Sequence, residues 1–178
     1  MDKATESQQR YLTSFAKRVV AAAKKRVKPA KATGALEASI NYKIQETKDG
    51  FTVEFLSTDY GTFIDKGVSG KETRRYYKDI NGKRRQSPYR YKSKYPPVGA
   101  IDRWTAMKVS GARDDKGRFI KRKSLVYLIS RKIFLHGIQG LSFYSQPLRE
   151  QLKDFKTGYS VSFKNDFMNK INTVIKKK

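Results

Sequence analysis

The sequence predicts an α+β protein, and three observations carry that reading. A stretch near the start sets apolar residues at helical spacing. Two later segments alternate around hairpin-turn signals, and the second half returns to helical spacing. A chain of 178 residues fits one domain with extensions. Its 38% hydrophobic and 12% aromatic content is enough to bury a core.

Residues 5–28 place Leu12, Phe15, Ala16, Val19, Ala23 and Val27 on one helical face. Arg10, Lys17, Arg18, Lys24 and Lys25 surround it, and Pro29 marks the end. That face is mostly alanine and valine, so it predicts packing on a sheet rather than on a membrane. Gly34 suits a tight turn. Residues 39–45 and 51–56 alternate like half-buried strands, and Lys48-Asp49-Gly50 between them predicts a hairpin. Residues 60–70, with three glycines among aromatics, predict a turn leading into a further extended stretch.

The composition then changes. Residues 71–94 hold ten lysines or arginines against Glu72 and Asp79 alone, with Tyr76, Tyr77, Tyr89, Tyr91 and Tyr95 interleaved. Asn81-Gly82 is the strongest short hairpin signal. A long basic β-hairpin arm, about 71–95, is therefore predicted to project from a domain spanning 1–155. Pro96-Pro97 ends it. Residues 98–109 predict a helix with Ile101, Trp104 and Met107 inward. Residues 110–123 predict a mobile basic loop. Ser124 then caps a helix whose apolar face is Leu125, Leu128, Ile129 and Ile133, closed by Gly137. A short helix is expected around 148–155. The extension 156–178 carries Phe163, Phe167, Ile171 and Val174 at helical spacing and ends in three lysines.

Two structural expectations follow. Trp104, Ile101, Phe55, Val53, Leu128 and Ile133 should be buried between sheet and helices. The arm, the 110–123 loop and the segment beyond Phe155 should be poorly ordered in a free subunit, because they carry little local apolar area. No internal repeat is expected.

The formal net charge is +24, from 40 Lys+Arg against 16 Asp+Glu. Such a charge calls for a partner of opposite sign: nucleic acid, anionic membrane or an acidic protein surface. With no cysteine, disulfides and thiolate metal sites are excluded, and the single His136 leaves no histidine cluster for zinc or a serine–histidine relay. Its place near a predicted helix end suits the dipole rather than chemistry. A metal-dependent nuclease would need converging acids. Glu54, Asp59 and Asp65, followed by Lys66, are the nearest set, but Glu54 alternates beside solvated positions. Gly61, Gly67 and Gly70 lack the lysine-plus-hydroxyl sequel of a phosphate loop. No catalytic, cofactor-binding or metal-binding residues are therefore assigned, and no cofactor is expected. No apolar run nears the roughly 20 residues of a membrane span, and the first ten residues lack a signal-peptide core. Cytoplasmic use, or use in a particle assembled there, is expected.

The candidate contact residues are the cations of the arm: Lys71, Arg74, Arg75, Lys78, Lys83, Arg84, Arg85, Arg90, Lys92 and Lys94. Arginine and lysine bind phosphate, while tyrosine stacks on bases or on protein. No recognition-helix motif stands out, so base-specific reading is not expected.

Thr33-Gly34-Ala35-Leu36-Glu37-Ala38-Ser39-Ile40 resembles the signature of the tail-completion and neck proteins of tailed bacteriophages. The segment Tyr60-Gly61-Thr62-Phe63-Ile64-Asp65-Lys66-Gly67 resembles that family's aromatic and acidic element. Gly137-Ile138, Phe143 and Pro147 resemble its ending. The motif positions are Thr33, Gly34, Leu36, Tyr60, Phe63, Asp65, Gly67, Phe143 and Pro147, and the likeness spans about 10–155. It implies a small, mostly antiparallel sheet packed by helices. It also implies a ring-forming connector subunit beneath the portal, joining head to tail around the DNA channel in the virion. Implied partners are further copies and portal, connector and tail proteins, and genomic DNA phosphates are a further expected contact, met non-specifically. The long basic arm, the 110–123 loop and the segment beyond Phe155 depart from the family pattern. The alternative expectation is a non-sequence-specific nucleic-acid-binding protein.

Overall fold

The computed structural model describes residues 6–28, 34–48 and 50–176, with backbone alone at 170 and 172–176. It is an α+β protein with seven helices and six strands among the described residues. In order these are α1 (Glu6–Val27), α2 (Ala35–Ser39), β1 (Asn41–Thr47), β2 (Gly50–Leu56), α3 (Gly61–Lys66) and β3 (Val68–Ser69). There follow β4 (Tyr76–Lys78), β5 (Arg84–Gln86), α4 (Val98–Lys108), α5 (Arg122–His136), β6 (Gly137–Ile138), α6 (Ser145–Leu152) and α7 (Phe155–Lys176). The strands form three separate antiparallel pairs, β1–β2, β3–β6 and β4–β5, where one small sheet was expected.

The α1 periodicity resolves as expected: Leu12, Phe15, Ala16, Val19, Ala23 and Val27 are the buried residues of that helix. They meet α2, the β1–β2 hairpin, α6 and α7. Phe15 stands 6.5 Å from the Phe55 ring and 4.8 Å from Phe155. At the other end of α1, Ala23 and Val27 join Leu36, Ile40 and Phe143 in the core, flanked by Val20, Ile64, Leu141 and Tyr144. Alanine along α1 lets neighbouring backbones approach closely. Phe143, fully buried, supplies the bulk that fills the space.

The segment beyond Phe155 is not a loose extension but a long helix running antiparallel to α1. Tyr11 packs on Phe155 and Tyr159, and Tyr159 donates to Gln8 Oε1 at 2.8 Å. The buried Asp166 carboxylate accepts from the Ser7 and Gln8 amides at 3.0 and 2.9 Å, capping α1 from across the fold. Phe163 and Phe167 lie on the outer side of α7, exposed, while Tyr159, Ser162 and Asp166 face inward.

Sequence reasoning also misplaced the core of the second half. Ile101 is buried and Val53, Phe55 and Ile133 are half-buried, but Trp104 and Leu128 are 41% and 49% exposed. The face of α5 that packs is Val126, Ser130 and Phe134. This helix is apolar on several sides, so periodicity could not single out the packing side. In α4 the inward residues are Ile101 and Thr105, with Met107 exposed. The start of α5 is Arg122, so Ser124 is not its cap, while Gly137 ends it with φ 71° as expected. The short helix α3 stands where a turn was read, and α2 takes in Ser39, which was read as the start of a strand. Among the described residues no helix is long and apolar enough to cross a membrane.

Candidate functional site

Two features on one side of the core bear on function: a buried knot and a cationic groove.

The knot is centred on Asp65, buried at the end of α3. Its carboxylate accepts from the Tyr144 amide at 2.8 Å, from the Ser145 amide at 3.3 Å and from the Ser145 hydroxyl. This ties residues 60–67 to the start of α6. Gly67 completes the tie. It has φ 73°, and a Cβ there would stand 2.6 Å from the Gly140 nitrogen and 2.7 Å from the Ile138 oxygen. Only glycine fits both the dihedral and the backbone approach. The Tyr144 phenol donates to the Leu56 carbonyl at 2.5 Å, linking the knot to β2. Burial pushes that phenol up to about 12; the Asn41 carbonyl opposes the shift and the Asp65 charge adds to it.

The motif positions gather around this point. Leu36 and Phe143 lie in the adjoining core, Pro147 is buried in the first turn of α6, and Gly34 adopts φ 78° ahead of α2. Tyr60 and Phe63 remain exposed, Phe63 lying 4.3 Å from the Tyr89 ring. Thr33 lies outside the described residues. Asp65 is fully engaged with amides and a hydroxyl, and Glu54 and Asp59 are exposed. Among the described residues no three His, Cys, Asp or Glu are grouped to hold a metal ion.

The arm differs from the long projection expected. Its strands β4 and β5 are three residues each, and its base is strapped to the body. Lys71 and Glu72 amides donate to the Phe134 and Leu135 carbonyls at 2.8 and 2.9 Å. The Ser87 hydroxyl reaches the Gly67 carbonyl at 2.6 Å, and the Arg75 amide reaches Ser69 Oγ at 3.0 Å. The expected Asn81-Gly82 turn forms, with Gly82 at φ 80°. Asp79 locks it by accepting from the Asn81 and Lys83 amides and from Arg85 Nε. Partial desolvation acts to raise the Asp79 pKa, but the Arg85 bond and the two amides outweigh it and hold the carboxyl below its ordinary value.

Four of the candidate cations, Arg74, Arg75, Lys78 and Arg84, line one groove of about 410 Å³ with Tyr76, Tyr77, Gln139 and Ser142. Its arginines are held by neutral groups. Arg74 donates to Gln86 Oε1 at 2.9 Å, Arg75 donates to the His136 carbonyl at 2.8 Å, and Arg84 lies 4.2 Å over the Tyr76 ring. Elsewhere Arg10, Arg26, Arg85, Arg118 and Arg122 face carboxylates. The groove therefore keeps its full charge in a fixed arrangement, which suits an oxyanion-rich partner.

The other candidates divide. Arg85 is paired with Asp79, and Arg90 staples the arm's base through the Gly70 and Lys71 carbonyls. Lys71, Lys83, Lys92 and Lys94 are exposed around the arm and do not line the groove. Gln86, Gln139 and the His136 carbonyl, which orient the site, escaped sequence reasoning, because no spacing or composition signal marks them. No protein-family model matches the chain, and no curated protein or solved structure is significantly similar to it.

Proposed function

We propose that this chain is a structural subunit of a ring in the head–tail connector of a tailed bacteriophage. In this reading it joins portal and tail proteins around the DNA channel, is assembled in the host cytoplasm and resides in the neck or tail of the virion. The observation that carries the reading is the knot. Residues far apart in sequence that bear the neck-protein resemblance lie in one region: Leu36 and Phe143 share the core flanked by Ile64 and Tyr144, Asp65 binds Tyr144 and Ser145, and Gly67 packs against Gly140. Two further features suit a ring subunit: exposed apolar side chains on α4, α5 and α7 offer interfaces, and the groove offers contact with acidic neighbours or the genome.

The groove also favours a second reading, a non-sequence-specific nucleic-acid-binding protein acting alone. Electron microscopy and mass measurement of the purified protein separate the two. Closed rings are the expected result. A stable monomer at every concentration, with tight DNA binding, would refute the connector reading.

A further inference from the structure

Residues 110–123, read from sequence as a mobile loop, form a second finger on the plan of the first. In the first the turn is Asp79-Ile80-Asn81-Gly82-Lys83; in the second it is Asp114-Asp115-Lys116-Gly117-Arg118. In each, the first aspartate amide donates to the fifth residue's carbonyl, at 3.0 and 2.9 Å, and the glycine amide donates back at 2.9 Å. In each, aspartate Oδ1 accepts two turn amides, and Oδ2 accepts an arginine Nε, from Arg85 at 3.1 Å and Arg118 at 2.9 Å. The glycines share φ near 80°, at 80° and 78°. Arg113 and Phe119 pair as an isolated antiparallel bridge below the second turn.

The likeness extends to a second arginine in each finger. Arg84 lies over the Tyr76 ring at 4.2 Å, and Arg113 lies over the Phe119 ring at 3.9 Å. Neither meets a carboxylate among the described residues. The Arg84 guanidinium makes no hydrogen bond there, and Arg113 makes one, to the Gly117 carbonyl at 2.7 Å. A ring face fixes the plane of a guanidinium but leaves its edge donors free, and a fixed fork of free donors is the geometry that grips an oxyanion. Phe119 is 68% exposed, and its only ring or cation contact among the described residues is Arg113. Packing does not explain it; a platform for the arginine does.

We propose that the 110–123 finger is a second phosphodiester-binding element, with Arg113 as the fork and Phe119 as its platform, gripping polynucleotide backbone without reading bases. The proposal rests on the reading of the first groove as a polyanion contact. A polymer with regularly spaced charge can meet two separately built fingers at once, and this chain carries +24 to be matched. An acidic protein would need a matched patch for each finger.

The test uses the full chain and duplex DNA of random sequence, with affinity followed by fluorescence anisotropy through a salt series. Arg113→Gln should weaken binding roughly tenfold at low salt. It should also make the slope of log affinity against log salt shallower by about one. Arg113→Lys, which keeps the charge but loses the fork, should keep the slope and lose part of the affinity. Phe119→Leu should weaken binding in the same direction. Unchanged thermal midpoints show that each variant is folded. Arg84→Gln is the reference for the first groove. If it weakens binding and Arg113→Gln does not, the second finger is refuted and the groove reading stands. If neither variant changes binding, both readings fail. If Arg113→Gln leaves DNA affinity intact but abolishes assembly without DNA, the partner is acidic protein and the proposal is overturned.

Discussion

Replacing Asp65 tests the knot. The carboxylate accepts three hydrogen bonds, two from backbone amides and one from a hydroxyl, in a buried site. A net bond to a charged group is worth about 1.5–3 kcal/mol, and stranding a buried donor costs about 1–3 kcal/mol. The Ser145 hydroxyl can rotate to another acceptor, so the two amides dominate. Asp65→Ala should therefore cost about 3–5 kcal/mol, a large part of the roughly 5–15 kcal/mol available to a domain. Asp65→Asn keeps the shape and one acceptor oxygen, and should cost about 2–3 kcal/mol. Ser145→Ala removes only one bond and should cost about 1 kcal/mol. Urea unfolding of the three variants gives these values as midpoint shifts at constant slope. Should Asp65→Ala fail to fold, Asp65→Asn and Ser145→Ala still provide a graded series, and their double mutant should show coupling of about 0.5–3 kcal/mol. An Asp65→Asn midpoint equal to that of the parent would refute the argument, because the knot would then be incidental to the fold.

Two further outcomes are expected. Desolvation acts to raise the Asp166 pKa, but the Gln8 and Ser7 amides outweigh it and hold the carboxyl below its ordinary value. Its native pKa lies below its unfolded one, so its contribution is complete above about pH 4 and is lost as pH falls through the lowered native value. Asp166→Asn should cost about 1–2 kcal/mol at neutral pH; a gap from the parent in urea midpoint that failed to narrow in acid would contradict the capping role. Trp104, the only tryptophan, is 41% exposed on α4. Trp104→Ala should cost less than about 1 kcal/mol in the free subunit, against the 3–5 kcal/mol of a core tryptophan. Acrylamide should quench its fluorescence freely, and full protection would return it to the core.

The parts of the fold legible in sequence were those where one physical rule acts alone. The α1 stripe was read residue by residue, because a single apolar face on a long polar helix has one solution. The two hairpins were legible through their turn chemistry. The α5 face was not, because Leu128 and Val126 are equally apolar and only tertiary packing decides between them. Helices α2 and α3 are each about one turn, too short for periodicity to register. In the candidate site the cations were legible as composition, but their sorting was not. Arg85 and Arg84 are neighbours in sequence; one is neutralised by Asp79 and the other is left free over Tyr76. That difference rests on which strand face each occupies. The locked turn of residues 114–118 was overlooked because its basic, polar composition matched that of a mobile loop.

The clasp of α7 on α1 has a consequence for synthesis. Chains fold largely as they emerge from the ribosome, yet contacts distant in sequence must wait for both ends. Leu12, Phe15 and Val19 emerge first and are covered in part by Phe155 and its neighbours, and the first turn of α1 is capped by Asp166. Until residues 155–166 have been made, that apolar stripe is without its final cover and open to other nascent chains. Emergence of residues 155–166 is then the step that lets the clasp close. A nascent chain arrested before residue 155 should recruit chaperones through the very face that later becomes the least accessible part of the molecule.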